Sequence, residues 1–145
     1  MDLQGTYNFD QPAGLVWNRL IDPQVVGSCL PGCDGLEPIG NDTYRVKLTV
    51  NVAAITGSYE GTVAIVDKES PRSYKLLIEG SGRSGFVRGE ARFELAEEQS
   101  KTIVTVRGNA EVGGLIARVG QRVLGGVSKM MLDRFFNCLQ CKSGS

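Results

Sequence analysis

The side chains with the most reactive potential are four cysteines in two close pairs, CLPGC at 29–33 and CLQC at 138–141. Together they offer the four ligands that a structural zinc takes. C-x-x-C is also the spacing of a dithiol redox centre. Both chemistries fit poorly. The pairs stand more than a hundred residues apart, and the second falls near the C-terminal end of a predicted helix, where the dipole disfavours a thiolate. Small buried or incidental thiols are the expected state, and no metal ligand is assigned. Histidine is absent altogether, which removes the commonest general base, the commonest metal ligand and every histidine-based triad.

Two further patterns resemble chemistry. GSGRSG at 80–85 is a literal G-x-G-x-x-G, but the dinucleotide fingerprint must open a helix, and here a strand resumes at Phe86-Val87. A hairpin turn is expected instead. In VRGEARFEL (87–95), Glu90 and Glu94 share a face with Arg88 and Arg92. That is a solvated strand face of alternating charge. No polar cluster falls on the inward phase of any strand, so no catalytic residue is assigned.

The composition suits a folded domain: 41% hydrophobic and 22% charged residues, with sixteen basic residues balancing sixteen acidic ones. Without a Lys/Arg cluster, nucleic acid is not an expected partner. The N-terminus lacks the pattern of a secretion signal, and no apolar run approaches the roughly 18–20 residues that span a bilayer. The expectation is one domain over residues 1–145, cytoplasmic, with its thiols reduced.

The elements that would position a site follow from periodicity. LQGTYNF (3–9) alternates as a strand. Asp10-Gln11-Pro12 and Asp22-Pro23 are start signals for short helices over about 14–20 and 23–29, and Pro31 ends the second. Period-two segments then recur at 43–52, 59–67, 73–80, 87–95 and 102–112. The first puts Tyr44, Val46, Leu48, Val50 and Val52 on one face. From about 113 to 141 the period becomes helical, with Ile116, Val119, Val123, Val127 and Met130 in one stripe. Strand, two short helices, a run of strands and one long helix make an α+β fold of helix-grip architecture. In it a curved antiparallel sheet wraps a long C-terminal helix.

Such a grip leaves an apolar hollow suited to small ligands. The residues expected to line it are Trp17, Leu30, Leu48, Val50, Val63, Leu76, Phe86, Phe93, Val106, Ile116, Val119, Val123 and Val127. Small inward residues (Gly61, Gly89, Gly108, Ala110) leave space unfilled. Leu30, beside the Pro31-Gly32 turn, is expected near the mouth.

Several stretches point to one family. VWNRLIDPQVVGSCLPGCDGLE, GSYEGTVAIVD, EGSGRSGFVRGEARFEL and VGGLIARVGQRVLGGVSKMMLDRFF resemble the CoxG family of carbon monoxide dehydrogenase subunits, within the polyketide cyclase and START-like superfamily of helix-grip folds. The resemblance covers about residues 2–139. It implies a non-catalytic accessory protein of a molybdenum hydroxylase such as carbon monoxide dehydrogenase, aiding its maturation or attachment at the inner face of the membrane. Members often continue past the helix into a linker and hydrophobic anchor, whereas this sequence stops at CKSGS. The expected ligand is a hydrophobic small molecule, a quinone or another lipid-like compound, with no covalent cofactor. The alternatives are a cyclase- or hydrolase-like enzyme of the same superfamily and a protein-interaction module without a ligand.

Overall fold

The computed structural model describes residues 1–51 and 55–143. Strand β1 (Asp2–Phe9) is followed by helices α1 (Ala13–Leu20) and α2 (Pro23–Cys29). Strands β2 (Cys33–Gly40), β3 (Thr43–Val50), β4 (Gly57–Glu69), β5 (Ser73–Gly82), β6 (Gly85–Glu98) and β7 (Lys101–Gly113) come next. A turn of 3-10 helix (Leu115–Val119) leads into helix α3 (Gln121–Ser143). The strands form one antiparallel sheet in the order β1-β7-β6-β5-β4-β3-β2. This is the expected α+β helix grip.

Local chemistry explains the elements. The Asp22 side chain accepts a hydrogen bond from the Gln24 backbone N–H at 2.9 Å and caps α2, with Pro23 in its first turn. Leu30 adopts extended geometry ahead of Pro31 and closes the helix. GSGRSG forms the tight hairpin between β5 and β6, with Gly82 paired to Gly85. Glu90, Glu94, Arg88 and Arg92 lie on the exposed face, where Lys75–Glu90 and Arg88–Glu79 pair across strands at 3.4 Å each.

The structure departs from the sequence reading in two places. The segment after the CLPGC turn is itself a strand, β2, at the sheet edge. Register shifts on either side of Leu36-Glu37-Pro38 erase its alternation, and an edge tolerates Pro38. The stretch 113–141 is not one helix: Gly113 ends β7, and Gly114 (φ +81°) and Gly120 (φ +92°) bracket the 3-10 turn. Both glycines hold a left-handed backbone that would strain other residues. Val52, expected on the inward face, lies outside the described residues.

Two buried clusters hold the layers together. One gathers Phe9, Val16, Trp17, Leu20, Tyr74, Phe93, Val104, Phe135, Phe136 and Leu139. At its centre the Phe136 ring stacks on Tyr7 with centroids 4.0 Å apart and meets Phe9 at 6.1 Å. The other joins Val50 and Ile55 to Ile116 and Leu124. Helix α3 is thus clamped to the sheet near both ends.

A polar tie reinforces the first clamp. Tyr7 Oη donates to Asp133 Oδ1 at 2.7 Å, and Lys129 Nζ donates to the same carboxylate oxygen at 2.9 Å. These bonds, Tyr7 first, hold the Asp133 carboxyl below its ordinary range. A depressed pKa gives stability that is complete above the unfolded value of about 3.9 and lost as pH falls through the folded one. An Asp133→Ala variant should therefore melt below wild type at neutral pH. In thermal scans against pH, the gap between the two should narrow below about pH 4.

Candidate ligand cavity

Between the two clamps the middle of α3 stands off the sheet, leaving a hollow of about 430 Å³. Val127, Ser128, Met131 and Leu132 of α3 form one wall. The strands supply Leu48, Val50, Val63, Leu76, Phe93 and Val106 opposite. Pro23 and Val26 of α2 and Leu30 just beyond it, with Leu36 of β2, line another side. Alternation builds the strand wall: β6 presents Val87, Ala91 and Phe93 inward and its charges outward. Gly61 also borders the hollow, where a Cβ would collide with the Glu79 carbonyl of the neighbouring strand. Strands β4 and β5 approach closely there because residue 61 has no side chain.

Nine residues expected at the cavity stand on its wall: Leu30, Leu48, Val50, Val63, Leu76, Phe93, Val106, Ile116 and Val127. Four are elsewhere. Trp17 is buried in the first cluster, its ring edge-on to Tyr74 at 5.4 Å. Phe86 has the opposite strand phase to Val87, so its ring covers Gly113 from outside and stays 38% exposed. The break at Gly120 resets the helical phase, turning Val123 outward at 46% exposure while Leu124 takes the inward place. Val119 packs against the second cluster without reaching the hollow.

Tyr74 lines the cavity unforeseen. It shares the phase of Leu76 on β5, so alternation already placed it inward. The residue is only 3% exposed and stacks on Phe93 with centroids 4.8 Å apart. Burial pushes its phenol far above the ordinary range, so it stays protonated. Two carboxylate residues border the hollow, Glu60 and Glu79, but their side chains are mostly exposed and engage Arg45 and Arg88.

Two of the four cysteines are not the incidental thiols expected. Cys29, at the end of α2, is disulfide-bonded to Cys138 of α3, one from each sequence pair, with Cα atoms 5.4 Å apart. Cys33 and Cys141 are free. Among the described residues, no group of three or more His, Cys, Asp or Glu side chains is placed to hold a metal ion.

The grip, the hollow and the order of elements place the chain in the START-like helix-grip class. A START superfamily protein from Mycobacterium smegmatis superposes with a TM-score of 0.80 at 13% identity, covering 99% of this chain and 97% of that one. The Zhui aromatase/cyclase from Streptomyces sp. R1128 does so at 0.67 and 16% identity, covering 99% and 93%. Within the class, the chain belongs to the CoxG family of carbon monoxide dehydrogenase subunits, whose profile matches residues 5–144. A conserved protein from Geobacillus kaustophilus is similar throughout, with a TM-score of 0.96, 36% identity, and 99% and 95% of the two chains covered. No curated protein matches the sequence.

The disulfide closes a loop of 109 residues and ties the α2 wall to α3. Such a cross-link contributes about 2–4 kcal/mol. A Cys29→Ser, Cys138→Ser double variant should melt roughly 5–15 °C below the oxidised protein. Addition of dithiothreitol should bring the oxidised protein to the same value.

Proposed function

We propose that this protein binds a hydrophobic molecule, a quinone or lipid-like compound, without turning it over. In this reading it serves a molybdenum hydroxylase of the carbon monoxide dehydrogenase type as an accessory in maturation or membrane association. One observation carries the binding reading. A hollow of about 430 Å³ with an almost wholly apolar lining lies between two separately packed clusters. Pockets that enclose drug-sized ligands run from about 300 to 1,000 Å³. The family supports the accessory role.

A cyclase-type enzyme would need acid and base groups converging inside. The ionisable tips bordering this hollow point out to salt bridges, which favours binding over turnover. Native mass spectrometry of the purified protein should show an adduct that organic extraction removes, and quinones or lipid esters should raise the melting temperature of the extracted form. A Val127→Trp variant, filling the hollow from the middle of α3, should lose both effects while staying folded. If wild type carries no adduct and no such compound shifts its melting, the binding reading fails.

Membrane association has its own support. No helix among the described residues is long and apolar enough to cross a bilayer. At the 3-10 turn, Phe86, Leu115 (59% exposed) and Val123 present apolar surface. The Ile116 N–H donates to the Ser84 carbonyl at 2.7 Å, joining this turn to the β5–β6 hairpin that carries Arg83. Arg118 and Arg122 are exposed alongside, and residues 112–132 contain no Asp or Glu. Apolar tips ringed by arginines suit an anionic bilayer surface. Flotation with vesicles rich in phosphatidylglycerol should carry the protein upward, and an Arg118→Glu, Arg122→Glu variant should stay behind. Equal flotation of both, or of neither, rules this face out as the docking surface.

A further inference from the structure

Five hydroxyl side chains border the hollow, Tyr44, Tyr59, Thr62, Tyr74 and Ser128, and of these Tyr74 is buried while the others are half-buried. Tyr59 Oη donates to the Ile55 carbonyl at 2.8 Å, and Ser128 Oγ contacts Met1 Sδ at 3.8 Å. Tyr74 is among the most buried residues of the wall, yet no hydrogen bond of its hydroxyl occurs among the described residues. Its ring packs against those of Trp17 and Phe93, neither of which accepts a strong hydrogen bond. A phenolic proton held in apolar surroundings without an acceptor is costly, and a partner arriving with a ligand relieves that cost.

We propose that Tyr74 is the polar anchor of the cavity, donating its hydroxyl proton to a neutral carbonyl oxygen on an otherwise apolar ligand. The inference rests on the binding reading above and gives it a chemical handle. Neutrality follows from the lining: among the described residues no Lys or Arg borders the hollow, so a carboxylate head would enter without a counter-charge. A phenol that stays protonated, with no basic neighbour, is a fixed donor; it holds and orients a carbonyl. Quinones and lipid esters share this chemistry, and free fatty acids do not.

The test uses two probes of one carbon skeleton. Menadione carries two ring carbonyls, and 2-methylnaphthalene carries none. Equilibrium dialysis of the full chain should show menadione held more tightly. Tyr74→Phe should weaken menadione about five- to tenfold, the share of one neutral hydrogen bond, and leave 2-methylnaphthalene unchanged. Ligand-free Tyr74→Phe should melt at or above wild type, because the lost hydroxyl has no internal partner. Methyl decanoate, run alongside, separates the two carbonyl sources. Tighter binding than menadione with the same loss in the variant points to a lipid ester, and the converse to a quinone. Equal losses for menadione and 2-methylnaphthalene, no loss for menadione, or a lower melting temperature of the free variant would overturn the anchor while leaving the cavity reading intact. If wild type binds none of the three probes, both readings fall.

Discussion

Everything in this molecule depends on how helix α3 is attached to the sheet. A long helix laid along a flat sheet would bury its stripe evenly and leave no space. Here the sheet curves, and the helix reaches it through Phe135, Phe136 and Leu139 at one end and through Leu124, with Ile116 of the preceding turn, at the other. The stacked rings of Tyr7 and Phe136 fix one end firmly. Close packing in two places then compels poor packing between them, because a nearly straight rod cannot follow a bowl. The hollow is the geometric remainder of two good interfaces.

Much of this architecture is legible in the residues. Strict alternation in TYRVKLTV (43–50) and VRGEARFEL (87–95) gives strand, face and exposure together, since a period of two leaves no freedom once one side is buried. Eight wall positions follow from that logic and from the helical stripe, and Leu30 follows from the turn at Pro31. The failures are equally physical. Strand β2 lacks alternation because it is an irregular edge, where hydrogen bonds to β3 outweigh side-chain pattern. Val123 was lost to a change of phase at Gly120, a backbone event that hydrophobicity does not record. The disulfide takes one cysteine from each cluster, so spacing within the clusters concealed it.

Tyr74 shows a subtler limit. Its phase was readable, but whether a buried tyrosine has an internal partner depends on which backbone oxygens the fold brings near. That is a tertiary fact. A hydroxyl left unpaired inside a well-packed aromatic group breaks the usual consistency of native interiors, and such breaks concentrate where function is.

The size of the hollow carries a final consequence. At about 430 Å³ it lies near the lower end of the pockets that enclose drug-sized molecules. A polyprenylated quinone or a two-chain lipid exceeds that. A molecule of either kind held by its carbonyl at Tyr74 would have its head sealed inside and its tail protruding past the wall. The protein would then cover the reactive end of its passenger and leave the greasy end for some other surface to shelter. Release would require contact with that surface.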